Sequence, residues 1–228
     1  MAQDNGYCRI MLSVVPCFDG NIDACISTLP FGEAEKRRLA CIKNKEYKES
    51  SLTALLCLQK LLMLEKIEPS EKIYILRTGD GKPYFASLNC FFSISHSNNT
   101  VAVALSDKPI GIDIEFVNEH RDILALSERF FAPEEHQAIL QSKNACEDFF
   151  VLWTKKEALT KIRGEGLSGI CRAEPLKFGY NFATFCLQDS SEKAYVSVCR
   201  ERSALLPTLR DFSTEALKMR YSIYELQI

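Results

Sequence analysis

The spacing of apolar residues along the chain predicts alternating strands and helices. Residues 10–15 form a short apolar run cut by Pro16, the pattern of a buried strand. Residues 33–48 read as a charged helical stretch. Residues 51–66 place Leu52, Leu55, Leu56, Leu58, Leu62 and Met63 on a broad apolar helix face, which Glu68-Pro69-Ser70 ends. A strand at 72–77 then runs into Thr78-Gly79-Asp80-Gly81-Lys82-Pro83, a strong turn signal.

Period-two patterning follows. Phe92 and Ile94 alternate with Ser93 and Ser95; Val101, Val103 and Leu105 alternate with Ala102 and Ala104; Ile110, Ile112 and Ile114 alternate with Gly111, Asp113 and Glu115. The polar link Ser97-Asn98-Asn99 suits a tight hairpin, so the three strands are expected as an antiparallel meander under helices. Beyond Glu119 the pattern turns helical around 122–127, again from Pro133-Glu134-Glu135, and most clearly over 148–163, with Gly164 as its stop. Residues 178–188, 194–199 and 221–226 read as further strands. Both halves are thus α+β, divided near Pro109: residues 1–108 and 109–228.

Composition narrows the class. The chain has 228 residues, 46% apolar and 25% charged, with 28 Lys+Arg against 30 Asp+Glu. Those are globular values, and the absence of a basic excess argues against a nucleic-acid partner. No apolar run is long enough for a membrane span, and a cytoplasmic protein is expected. The ten cysteines are scattered without a C-x-x-C pair, so they read as reduced, mostly core-facing thiols.

Three constellations could carry chemistry. On a strand, Asp113 and Glu115 share a face, about 5–7 Å apart, where they repel unless a cation or a proton intervenes. Oxygen-only donors on a rigid strand suit Mg²⁺; a solvated acidic edge is the plainer alternative. Trp153, Glu157 and Lys161 fall on one helical stripe, which offers either a further ligand with a phosphate-binding lysine, or a surface ion pair. Ser95-His96-Ser97 ends a strand and is either an anion contact or a polar hairpin tip. No G-x-S-x-G elbow or Walker A loop is present. What the three have in common is a magnesium–diphosphate site.

The order of these motifs resembles the 4′-phosphopantetheinyl transferase superfamily, in particular its surfactin-synthetase-activating (Sfp) type. The resemblance runs through Gly81-Lys82-Pro83, Phe92-Ser93-Ile94-Ser95-His96-Ser97, Gly111-Ile112-Asp113-Ile114-Glu115, Phe130-Phe131 with Glu135, Trp153-Thr154-Lys155-Lys156-Glu157-Ala158 with Lys161, and Gly164-Glu165-Gly166-Leu167-Ser168. It implies transfer of the phosphopantetheine arm of coenzyme A to a serine of an apo acyl or peptidyl carrier protein, with release of adenosine 3′,5′-bisphosphate. Magnesium, or manganese in its place, would be held by Asp113, Glu115 and Glu157, with Glu135 beside it. Catalysis would rest on Glu157, Lys161 and Asp113. Coenzyme A would meet Lys82, Ser95, His96 and Lys161, together with Lys36, Arg38 and Ser51, although Ser50-Ser51 stands where the family commonly has Arg followed by Ser or Thr. The implied fold is a monomer of two similar α+β subdomains related by a pseudo-twofold axis. The alternatives are another magnesium-dependent hydrolase that cleaves diphosphates, or a non-catalytic module that binds coenzyme A or a carrier.

Overall fold

The computed structural model describes residues 7–16, 18, 22–67, 72–165, 170, 179–188 and 192–202. The expected strand at 221–226 and the Gly166-Leu167-Ser168 motif lie outside them.

Strand β1 (Cys8–Val14) opens the chain, followed by helices α1 (Ile22–Thr28), α2 (Glu33–Ala40) and α3 (Lys45–Leu64). The charged helical stretch expected over 33–48 is broken in two. The side chain of Asn44 accepts the Tyr47 N–H at 2.7 Å and so caps a new helix at Lys45. Leu52, Leu55, Leu58, Leu61 and Leu62 of α3 are buried against Val101, Val103 and Leu105. Burying one such side chain is worth roughly 1.5–3 kcal/mol, so the leucine face holds the helix to the sheet.

A small hairpin, β2 (Ile75–Arg77) with β3 (Pro83–Phe85), leads to β4 (Phe91–Ser97) and β5 (Thr100–Ser106). Strand β5 is central, antiparallel to both β1 and β4. The expected meander ends here. Strand β6 (Ile110–Phe116) makes no ladder with β5 and opens a second sheet, β6-β8-β7, where β7 is Tyr180–Gln188 and β8 is Lys193–Glu201. Two features account for the switch. Arg200, buried at the end of β8, donates to Asp107 Oδ1 at 3.0 Å and draws the β5–β6 connection towards β8. Ile110, Ile112 and Ile114 pack face-on against the small Ala102 and Ala104 of β5 rather than beside them.

The two three-stranded sheets have the same order along the chain: first strand, last strand, penultimate strand. Between β6 and β7 lie α4 (Ile123–Phe130), α5 (Pro133–Gln141) and α6 (Ala145–Arg163). Asp122 caps α4 by accepting the Ala125 N–H, and Gly164, at φ +73°, ends α6 in the left-handed region that glycine tolerates. Phe131, Phe149, Phe150 and Trp153 form an aromatic core beneath α4–α6. No helix among the described residues is long and apolar enough to cross a membrane. Cys25, Cys41, Cys57, Cys90, Cys146, Cys186 and Cys199 are free thiols.

One contact fixes α6 on β6. A β-carbon at Gly111 would lie 1.9 Å from the Ala158 carbonyl oxygen, so only glycine allows this approach. Gly111→Ala is therefore expected to lower stability by about 3 kcal/mol or more, read as a fall in thermal midpoint. Gly79→Ala, with nothing within 4 Å of the added carbon, should melt close to the wild type.

Candidate active site

Alternation on β6 sends its isoleucines into the core between the sheets and turns Gly111, Asp113 and Glu115 towards α6. That face is not solvated: Asp113 is 3% exposed. On α6, Glu157 and Lys161 are one turn apart on the side that meets β6. Lys161 Nζ donates to Asp113 Oδ1 at 2.7 Å. Ser95, on β4, donates to the same oxygen, also at 2.7 Å, while the buried Asp113 Oδ2 has no hydrogen-bond partner. Ser97 donates to Glu115 Oε2 at 3.3 Å, and Arg121 Nη1 lies 3.9 Å from that oxygen.

Negative charge here exceeds what its neighbours neutralise. Burial and the carboxylates of Asp113 and Glu115 push the Glu157 carboxyl up to about 7, against the opposing pull of Lys161 and Arg121. Burial, followed by the Asp113 carboxylate, also raises Glu115. An unpartnered buried carboxylate oxygen flanked by two carboxyls held above their ordinary range is an environment that favours a divalent cation. No three or more His, Cys, Asp or Glu among the described residues are arranged as a ready-made metal cage. Magnesium does not require one, because it takes one or two protein carboxylates and completes its shell with water and phosphate oxygens. The donor set fits that ion.

The other sequence-derived residues divide. His96 lies close enough to feel both Lys161 and Asp113. Burial and the Lys161 charge lower its pKa, and its ring meets Tyr47 edge-on at 5.7 Å between centroids. Ser51 is half-buried one turn beyond Tyr47 on α3. Lys82 Nζ donates to the Ile162 carbonyl at 2.9 Å, so this half-buried lysine ties the β2–β3 turn to the last turn of α6. Lys36 and Arg38 bond within the N-terminal half: Lys36 Nζ to the Ser27 carbonyl at 2.6 Å, and Arg38 to Glu35, which also holds Arg77.

Glu135 has partners of its own. It accepts the Ala132 N–H at 2.9 Å at the start of α5 and pairs at 2.7 Å with Lys156, whose side chain is fully buried. Of the remaining histidines, His136 Nδ1 is 2.8 Å from Ser127 Oγ, a link between α5 and α4, and His120 is exposed. Arg121 was not evident from the sequence. It lies in a charged stretch without a motif, yet its guanidinium sits 4.9 Å from the Trp153 ring centroid and reaches Glu115.

The sequence model of the 4′-phosphopantetheinyl transferase superfamily matches residues 109–215. That stretch of the chain is similar to the superfamily. It is 40% identical over 103 residues to the 4′-phosphopantetheinyl transferase psf-1 of Bacillus pumilus, covering 44% of this chain and 43% of the relative. It is 38% identical over 120 residues to the 4′-phosphopantetheinyl transferase gsp of Aneurinibacillus migulanus, covering 51% and 49%. A putative 4′-phosphopantetheinyl transferase of Haemophilus influenzae is 28% identical over 167 residues, covering 67% of this chain and 71% of the relative. The chain thus spans less than half the length of the first two relatives. The superfamily match contains β6, α6 and all three carboxylates of the cluster.

Because the Lys156–Glu135 pair is shielded from water, removing the lysine takes away the cation that balances the carboxylate. Lys156→Ala is expected to cost about 3–5 kcal/mol in a denaturant titration, well beyond an exposed lysine such as Lys45.

Proposed function

We propose that the protein transfers the 4′-phosphopantetheine arm of coenzyme A to a serine hydroxyl of an apo acyl or peptidyl carrier protein. The observation that carries this reading is the convergence of Asp113, Glu115 and Glu157 with the Lys161 ammonium in one half-buried site. The superfamily match over the same residues supports it.

In this reading Asp113, Glu115 and Glu157 hold Mg²⁺, for which Mn²⁺ can substitute. Once bound, the ion supplies Lewis-acid polarisation and charge neutralisation for a diphosphate. Glu157 takes the proton of the serine hydroxyl, since an unactivated hydroxyl is a weak nucleophile. The serine oxygen bonds to the phosphorus that carries the pantetheine arm. The bond from that phosphorus to the bridging oxygen breaks, and adenosine 3′,5′-bisphosphate leaves with the electron pair. Lys161 faces the charge growing on the leaving oxygen. His96, beside Tyr47, holds the 3′-phosphate, and Lys82 and Ser51 contribute from the N-terminal half. Residues 1–108 and 109–228 act as two subdomains related by a pseudo-twofold axis, a reading supported by the repeated strand order. The protein works as a cytoplasmic monomer.

Incubation with coenzyme A, Mg²⁺ and apo carrier proteins should add the mass of one phosphopantetheine arm to the carrier, read by intact mass spectrometry. EDTA should stop the reaction and added Mg²⁺ restore it. Cleavage of coenzyme A at the same rate without any carrier would identify a hydrolase instead. Asp113→Asn is expected to lower turnover roughly 10²–10³-fold while the far-ultraviolet dichroism stays native, because the amide keeps the shape and loses the charge.

Steady-state kinetics should separate binding from chemistry. His96→Ala is expected to raise the KM for coenzyme A by about tenfold, the loss of one charge-assisted hydrogen bond of ~1.5 kcal/mol, and to discriminate less than the wild type against dephospho-coenzyme A. Lys161→Ala should mainly lower kcat.

A further inference from the structure

The β2–β3 hairpin is small: each strand has three residues, and Thr78, Gly79, Asp80 and Gly81 of the connecting turn are exposed. A two-stranded hairpin of this size is marginal by itself in water. Yet Lys82, at the end of the turn, sends its ammonium to the Ile162 carbonyl in the last turn of α6. That carbonyl is among those a helix end leaves without an internal partner, and a cation suits the negative end of the helix dipole. A lysine ammonium carries three protons, so this bond leaves others for a phosphate oxygen.

An arginine holds the turn in place. Arg77 Nη2 pairs with Glu35 Oε1 at 2.9 Å, and Arg77 Nη1 donates to the Gly81 carbonyl at 3.3 Å. Glu35, on α2, is buried, and Arg38 holds the same carboxylate oxygen at 2.8 Å, so the carboxylate is a fixed point. The Gly81 carbonyl belongs to the peptide that joins Gly81 to Lys82. Arg77 therefore grips the peptide that carries the lysine. Within the turn, the Thr78 N–H donates to the Lys82 carbonyl and the Gly81 N–H to the Thr78 carbonyl, both at 2.9 Å.

We propose that Arg77 is a positioning residue for Lys82, clamping the turn so that the ammonium is held in place for a phosphate of coenzyme A. The inference rests on the functional reading above, in which Lys82 meets coenzyme A, and adds the residue that places it. Without the guanidinium the turn, with its two glycines, keeps only its internal bonds. Ordering it on binding then offsets part of what the lysine contributes. The fork of the guanidinium matters, because it reaches two acceptors at once, whereas a lysine is a point charge on a flexible stem.

A double-mutant cycle on coenzyme A affinity, measured by calorimetry in EDTA, tests this without turnover or metal. Lys82→Ala should weaken binding about tenfold, the loss of one charge-assisted hydrogen bond. Arg77→Ala should weaken it about three- to tenfold while Lys82 is present, and less than about twofold once Lys82 is alanine, since residues that act through one contact are not additive. Arg77→Lys should bind as weakly as Arg77→Ala, and it completes the cycle should the alanine variant not fold. The proposal is overturned if the two losses multiply, which would make Arg77 a contact in its own right, or if any single variant binds coenzyme A like the wild type. A wild type that does not bind coenzyme A overturns the functional reading itself.

Discussion

The carbonyl of Ala158 rests where a β-carbon at position 111 would be, and this close approach sets the distance between α6 and β6. A larger residue would push the helix off the sheet. The consequences extend along both elements. Two residues on from Gly111 along β6 stands Asp113, and less than one turn on from Ala158 along α6 stands Lys161, and the two meet at 2.7 Å. Glu157 is brought over the same acidic pair, where burial and the two neighbouring carboxylates raise its affinity for protons. The charge density of the site is thus a product of backbone packing, with a glycine as its enabling residue.

Holding such a cluster in a folded protein requires compensation from several directions. Lys161 and Arg121 supply cations from α6 and from the segment before α4, and the serines of β4 supply neutral donors from the other sheet. Arg121 is itself steadied against Trp153, so the aromatic core under α4–α6 reaches the edge of the cluster. A second buried ion pair, Lys156 with Glu135, sits on the α5 side of the same helix. Two adjacent residues of α6, Lys156 and Glu157, therefore serve different ends: one locks the helix to its neighbour, and the other faces the site.

The candidate site was only partly legible in the residues. Period-two alternation was enough to put Asp113 and Glu115 on one face, and helical periodicity was enough to align Glu157 with Lys161, because both patterns act within a single element. Glu135 shows where such reading stops. Its place after a double phenylalanine is visible in the motif order, but nothing local announces the buried lysine on another helix that pairs with it. Arg121 shows the converse, since no local pattern separates a guanidinium that stacks on a distant indole from one that faces water.

By itself the sequence determined the elements and the faces they present: the strands that open at Phe91, Thr100 and Ile110, the leucine face of α3, and the stop of α6 at Gly164. These follow from periodicity and local backbone preference, which act over a few residues. Only the tertiary structure decided that β6 leaves the first sheet for β8, that the Ser95 hydroxyl points to Asp113, and that Lys161 closes on a carboxylate 48 residues away in the chain. Pairings of that kind depend on how finished elements pack, through a glycine without a side chain, two alanines that let sheets stack and one buried arginine at a strand end, and none of these is distinguishable by type from its many counterparts along the chain.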